Sequence, residues 1–593
     1  MKSFIIKITC YAVVLFVVSK YGYEYLLPVF EADHLIFPYA LHPFDICEMY
    51  PETWHIIKNA YVAMFLISFT IVFFYIVSSF NIRMPSVFKN LFTSCKQKVD
   101  KSNGKKQFSL MKQLYDNKKN KQENNENLEL LIGQDEQGNS VSVKEKGLYQ
   151  SILITGTIGS GKTSSAMYPF TEQLIAYQAD NSDKKLGMLI LDVKGNYANQ
   201  VEQLCKKYNR SKDLIMVDLS GKIRYNPLDK LELKPAVIAN RLRTILTLFS
   251  KNNSESYWLD KSEQTITEAI KLCRVYNDGY VSFVELHKLI FVKEYFESKM
   301  EIIKQKFKKS CLSEEQVYDL ISSMDYFQKE FFNLDARTSS IIKSEISIIT
   351  NIFISDYEIS KCFCPKQEDI NFSGFEEALK NGKIVVLKMN ISKYRNLSKI
   401  IATYLKLDFQ TAVMNQLSKN ESPRKSVFIS DEYHEYVTEM DSSFFAECRE
   451  ARCINILATQ SYTSLLNSIH DINSTKVILQ NLINKLWYRT DDIFTIEEAQ
   501  KQIGKIEHQK ESFTISENAK QTNYNMLTNT LISQDSNISE SYNRYMQKDF
   551  AYDTNYFSQD LKVFECLAFL SDGNKIITPK KLKMIPYFKK EEI

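Results

Sequence analysis

The stretch Ile152-Leu153-Ile154-Thr155-Gly156-Thr157-Ile158-Gly159-Ser160-Gly161-Lys162-Thr163-Ser164 decides how this chain is read. Residues 152–155 are a short apolar run suited to a buried strand. A complete G-x-x-x-x-G-K-T follows, the pattern of a phosphate-binding loop. The glycines Gly156, Gly159 and Gly161 let the backbone wrap phosphates with its N–H groups, including those of Thr157, Ile158, Ser160 and Ser164. Lys162 has the reach and charge for β- and γ-phosphates, and the Thr163 hydroxyl suits Mg²⁺. The following helix aims its positive end at the same anions. The chain has only 16 Gly in 593 residues, so a chance match is on the order of one in a hundred. A Gly-rich turn that binds nothing is the bland alternative. Pro169, six residues after Thr163, is expected to kink or end that helix.

A triphosphate-cleaving site needs one carboxylate for the metal's hydration shell and another to polarise water. Three segments have four apolar or small residues ending in Asp: Met188–Asp192, Leu214–Asp218 and Val427–Asp431. All three read as parallel strands whose carboxyl ends meet the phosphate loop. Only the third continues with a second acid, so Asp431 is assigned to Mg²⁺ and Glu432 to the base. Helix capping is the other reading of that pair. Downstream, residues 444–452 read as a helix and residues 454–461 as a strand ending in Gln460. Gln460 suits contact with the γ-phosphate or the attacking water, or is a plain turn residue. Arg449 or Arg452 suits an arginine finger reaching a neighbouring subunit's nucleotide; a solvated helix face is the alternative.

Upstream, the amino-terminal hundred residues read as a membrane anchor (1–95). Residues 3–19 carry one charge, Lys7, and residues 60–80 carry none, close to the roughly 20 apolar residues that span a bilayer. The loop 21–57 holds six acids and no Lys or Arg, whereas residues 81–106 hold seven basic residues and one acid. The positive-inside rule then sets both termini in the cytoplasm and the loop 21–57 outside. A polar, Lys/Asn-rich linker, 96–127, leads to the bulk of the chain.

Composition fits an ordinary globular remainder: 44% hydrophobic, 25% charged, net charge +4. That balance is too mild to announce nucleic-acid binding alone. The 11 Cys form no CxxC pair, and Cys362-x-Cys364 lacks a partner pair for a zinc site. Residues 257–330 carry helical periodicity with no strand-like run, and 336–360 are again helical. Residues 384–389 return to strand character. Residues 508–545, rich in Ser, Asn, Gln and Glu, read as a lightly packed surface insertion before final strands at 563–570 and 575–577.

Taken in order, these segments resemble the type IV coupling proteins, the TraG-like ATPases of conjugation and type IV secretion. The resemblance rests on the two amino-terminal spans, the loop with Pro169 downstream, and Leu191-Asp192-Val193-Lys194-Gly195, similar to the family's DPKG. It also rests on Tyr225-Asn226-Pro227-Leu228, Tyr257-Trp258, Ile429-Ser430-Asp431-Glu432, Ala458-Thr459-Gln460-Ser461, and Arg489-Thr490-Asp491-Asp492 with Ile503-Gly504. Val193 departs from the family's Pro, and Asn196-Tyr197 depart from its Glu-Leu. The resemblance implies an α/β fold. A RecA-like P-loop NTPase, its sheet mainly parallel (128–256 and 331–593), is interrupted by an all-α domain (257–330) and preceded by two transmembrane helices. It implies ATP and Mg²⁺, a homo-hexamer, and single- or double-stranded DNA, a relaxase or relaxosome and type IV secretion channel proteins as partners. A DNA-pumping ATPase of the FtsK/HerA class and a membrane scaffold that binds ATP as a switch are the competing readings.

Overall fold

A computed structural model describes residues 127–192, 195–249, 256–309, 312–418, 422–517, 522–525, 530–533 and 538–590. The expected spans 3–19 and 60–80, the loop between them and the linker up to 126 lie outside the described residues. Among the described residues no helix is long and apolar enough to cross a membrane.

The strands, in chain order, are β1 (Glu129–Gln134), β2 (Ser140–Lys144), β3 (Ile152–Thr155), β4 (Gly187–Leu191), β5 (Leu214–Val217), β6 (Ile384–Leu387), β7 (Ser426–Ser430), β8 (Cys453–Thr459), β9 (Asn484–Tyr488), β10 (Lys505–Glu517), β11 (Thr522–Asn525), β12 (Thr530–Ser533), β13 (Ile538–Phe550), β14 (Glu565–Phe569) and β15 (Lys580–Lys583). Eleven of them make one sheet in the order β2-β1-β15-β14-β9-β3-β8-β7-β4-β6-β5. From β9 to β5 every neighbouring pair is parallel, and from β9 through β14 to β2 the pairs are antiparallel. Parallel strands covered on both faces should read as continuous apolar runs, and β3, β4 and β6 are buried at every residue. Their period of two divides them between two cores. Leu153, Leu189 and Phe428 face one core; Ile152, Ile154, Met188 and Ile429 face the other, with α1 (Tyr168–Ala176) and α2 (Asn196–Lys207) packed on it.

The first core continues into a helical body. Between Val217 and Ile384 the described residues form no strand. They form α3 (Pro235–Thr247), α4 (Ser256–Tyr276), α5 (Phe283–Phe291), α6 (Lys293–Lys308), α7 (Glu314–Asp325), α8 (Ala336–Ser355) and α9 (Tyr357–Phe363). Residues 257–330 lie inside this longer run. Ser313 and Gln316 start α7 with a reciprocal capping box, and Phe283 stacks on Phe353 at 4.0 Å between ring centres. The chain returns to the sheet by α10 (Ile391–Asn415) beyond β6.

Pro169 does not end its helix. Residues Thr163–Met167 form one π-helical turn before α1. A proline ring clashes with the carbonyl four residues earlier, here Ser165, and the wider π turn relieves that clash. The insertion around 508–545 is a long antiparallel ribbon pairing β10 with β13 from Lys505↔Phe550 to Glu517↔Ile538. Its Phe513, Ile515, Tyr542 and Met546 are exposed. At the carboxyl end, β14 matches the expected 563–570. Residues 575–577 contribute the bridge Ser571↔Ile576 and the Ile577 N–H bond to the Leu570 carbonyl at 2.8 Å, across a turn at Gly573 (φ +97°), while β15 forms the ladder with β14.

One buried cation has a measurable consequence. Lys485, at the amino end of β9, gives its Nζ to the carbonyls of Leu479 (2.9 Å) and Leu482 (2.7 Å), and burial pulls its pKa down to about 7. The unfolded chain therefore holds a proton that the native chain lacks between about pH 7 and 10.5, so native stability rises with pH across that window. Lys485→Met is expected to stabilise the protein at neutral pH by about 1–3 kcal/mol after the lost carbonyl bonds. That gain should shrink toward pH 10, as chemical denaturation at several pH values would show.

Candidate functional site

The loop 156–163 leaves the carboxyl end of β3. Gly159 (φ +79°) and Gly161 (φ +100°) take the left-handed backbone that side chains resist. A Cβ on Gly161 would also lie 2.5 Å from the Phe564 ring. The loop is held from both sides. Thr157 donates its N–H (2.9 Å) and hydroxyl (3.1 Å) to the Arg489 carbonyl beyond β9, while Phe564 N–H donates to the Ser160 carbonyl at 3.1 Å. The Ser164 hydroxyl bonds the Gly161 carbonyl at 3.2 Å. Ile158, at the tip, is 78% exposed. Lys162 is buried, with its Nζ on the carbonyls of Gly156 and Thr157.

The first long-range contact is decisive. Thr163 donates its hydroxyl to Asp431 Oδ2 at 3.1 Å, across 268 positions of sequence. Asp431 immediately follows β7, which is separated from β3 by β8. Glu432 follows in the left-handed conformation (φ 50°, ψ 50°) and is buried. That backbone costs an ordinary residue roughly 1 kcal/mol, and it turns the second carboxylate away from the line of the strand.

Of the three expected strand-end acids, two meet. Leu191 pairs with Ser430 and its carbonyl accepts the Asp431 N–H at 3.1 Å, so Asp192 arrives beside Asp431. Asp192 also caps α2 by accepting the Tyr197 N–H at 2.9 Å. Tyr168, on the loop's own helix, feels both acids: burial first, then their charges, push its phenol up to about 12. Asp218 does not join them. Its strand β5 is the sheet's outer edge, and its carboxylate bonds Ser220 instead.

Gln460 follows Thr459, whose register partner is Thr155. It is half-buried at the same sheet edge as the loop. Arg449 and Arg452 precede β8 at the opposite edge, about 20 Å from the loop of their own chain by strand length. Arg449 there bonds the Gly573 carbonyl at 3.3 Å. Arg452 lines a separate cavity of about 1440 Å³ with Arg424 and Lys425. Neither arginine therefore reaches the loop of its own chain.

Sequence reading missed His434. It sits in the single turn Tyr433–Glu435, with Nδ1 at 3.3 Å from the Thr459 hydroxyl and 3.8 Å from Glu432 Oε2. The turn is anchored from below. Tyr433 donates its hydroxyl to buried Asp441, which pairs with fully buried Lys406 at 2.6 Å. No pattern of three or four residues signals a lone histidine; the closing of β7 against β8 is what brings it to Thr459.

The donor set fits Mg²⁺. A hydroxyl and a carboxylate in contact leave the remaining positions of a hard, oxygen-loving ion to phosphate and water. Among the described residues no cluster of three or more His, Cys, Asp or Glu offers an all-protein metal cage.

No protein-family model matches the sequence, and no curated protein matches it. Solved structures do match. The unbound monoclinic form of the bacterial conjugative coupling protein TrwBdeltaN70 superposes with a TM-score of 0.50 over 75% of this chain and 87% of that one, at 13% identity. The chain shares the fold of TrwB. The plasmid coupling protein TrwB in complex with the non-hydrolysable GTP analogue GDPNP matches with a TM-score of 0.50 over 75% of this chain and 88% of that one, at 12% identity. At such identities the likeness to TrwB speaks for the architecture: a mostly parallel sheet interrupted by helices, with the phosphate loop at its carboxyl edge.

Proposed function

We propose that this chain is a membrane-anchored, ATP-driven DNA translocase that links a relaxosome to a type IV secretion or conjugation channel. The observation that carries the hydrolytic part is the 3.1 Å contact of Thr163 with Asp431, with Glu432 next in the chain. A phosphate loop, a metal-binding pair and a second acid then converge at one edge of a parallel sheet. The conjugation part is supported by the TrwB-like fold, since that protein is a conjugative coupling protein, and by the two apolar segments at 3–19 and 60–80. The nucleotide complex of TrwB supports binding of a purine triphosphate at residues 156–164.

In this reading ATP is the substrate. Bound Mg²⁺ would neutralise phosphate charge, held by Thr163 and Asp431. Lys162 leaves the loop carbonyls for the β- and γ-phosphates. Glu432 takes the proton of the attacking water, and Gln460 orients that water from the tip of β8. Arg449 serves the loop of an adjacent subunit in a homo-hexamer. Hydrolysis moves surfaces that hold DNA through its phosphates without sequence preference, and the helical body between β5 and β6 receives the relaxase with its DNA.

Transfer frequency in a mating assay tests the cellular role. Deleting the chain should abolish transfer, and Lys162→Ala should fail to restore it. Transfer that persists in the deletion strain removes the coupling role and leaves the reading of a DNA pump outside conjugation.

A further inference from the structure

The turn after the two acids has chemistry that the hydrolytic scheme has not used. His434 is mostly buried and lies beside three polar groups, one on β8 and two on its own turn. Its Nδ1 lies 3.3 Å from the Thr459 hydroxyl at the end of β8 and 3.8 Å from Glu432 Oε2 beyond β7. Its Nε2 lies 3.8 Å from Glu435 Oε1, and Glu435 in turn pairs with Lys399 of α10 at 2.6 Å. The Thr459 hydroxyl is directed at the Ser461 carbonyl, 3.4 Å away. Its lone pairs are therefore left to accept from the imidazole, which assigns the hydrogen to Nδ1. The same N–H then borders the Glu432 carboxylate.

We propose that His434 is a positioning residue for hydrolysis: its Nδ1–H, tied to Thr459, fixes the Glu432 carboxylate relative to the tip of β8, where Gln460 stands. This inference rests on the reading of Glu432 as the base. The argument is geometric. Glu432 has a left-handed backbone and opens the single turn that carries His434, so the two side chains are set by the same short segment. The residue two further on is tied to β8, the strand lying between β7 and the loop's own strand. A shift of β8 against β7 therefore moves the imidazole and the carboxylate together. Burial holds the pKa of His434 below the usual imidazole value, opposed by Glu432 and Glu435 and reinforced by Lys399 and Lys162. A neutral ring donates from one nitrogen only, which keeps the Nδ1 tie specific.

The amide nitrogen of Asn occupies nearly the position of Nδ1, whereas Leu fills the space with no donor. Steady-state ATP hydrolysis by the purified full-length chain separates the two. His434→Leu is expected to lower kcat at least tenfold, on the order of 10² for a misdirected base. KM for ATP should stay within about twofold, because uniform phosphate binding is untouched. His434→Asn should recover to within about threefold of the parent. Equal activity of parent and Leu variant overturns the inference, and so does equal loss in Asn and Leu, or a loss carried by KM. Retained binding of a fluorescent ATP analogue by the Leu variant shows that it is folded; loss of binding by Leu but not Asn also counts against positioning, since it marks His434 as part of the binding surface. If the parent itself hydrolyses no ATP, the base assignment fails and the inference falls with it. An active parent with an indifferent Leu variant removes the inference alone.

Discussion

Glu432→Gln is expected to bind nucleotide and leave it uncut. Gln has the same length and lacks the basic oxygen that takes the proton of water. The left-handed turn at residue 432 (φ 50°, ψ 50°) is set by backbone and by the Tyr433–Asp441–Lys406 anchor beneath it, none of which the substitution touches. Removing a general base costs on the order of 10²–10⁴ in rate. The binding half of the site, residues 156–163, remains whole. The expected result is a kcat lower by at least 10², unchanged or tighter ATP binding, and labelled ATP retained on the protein through gel filtration. A variant that turns over ATP at the parent rate would show that Glu432 is not the base.

Lys162→Ala should fail earlier, at binding and cleavage together. Lys162 is the cation of the loop, buried against the carbonyls of Gly156 and Thr157, and a bound triphosphate would offer it charged oxygens in place of those neutral acceptors. Charge-assisted bonds of that kind contribute roughly twice a neutral one. Their loss at a group that gains charge during the reaction should lower kcat/KM by about 10³ or more. The fold should survive, because the loop's ties to Arg489 and Phe564 run through Thr157 and Ser160. An unchanged thermal melting curve beside abolished hydrolysis is the expected pair of results. Hydrolysis at near-parent rate would remove the loop from the chemistry.

The two halves of the site were unequally legible in the sequence. The loop 156–163 carries its signal locally, in eight consecutive residues. Asp431 was found through a second local signal, a strand ending in paired acids, and the contact with Thr163 joined the two signals across 268 positions. Asp192 was in the right kind of segment yet went unassigned, since only the order of β7 and β4 in the sheet sets it beside Asp431. Asp218 carried the same pattern and lies elsewhere, for the same reason. His434 had no pattern at all.

Architecture followed a similar rule. The parallel strands were visible as apolar runs, because burial on both faces leaves no alternation to blur them. Of the two outcomes expected at Pro169, a kink or an end, the helix does not end: a π turn, invisible in composition, carries the chain past the proline. The ribbon of β10 and β13 was hidden by its polarity. Its pairing rests on backbone hydrogen bonds in register, and the short alternation Phe513-Thr514-Ile515 is outweighed by the Ser, Asn, Gln and Glu around it.

Phosphate release from ATP by the purified full-length chain, with Mg²⁺ and again with excess EDTA, tests most directly whether residues 156–163 and 431–432 form one hydrolytic site. Release that requires Mg²⁺ and disappears in both Lys162→Ala and Glu432→Gln is the predicted result. No release from the folded parent, or release that survives in either variant, would contradict it.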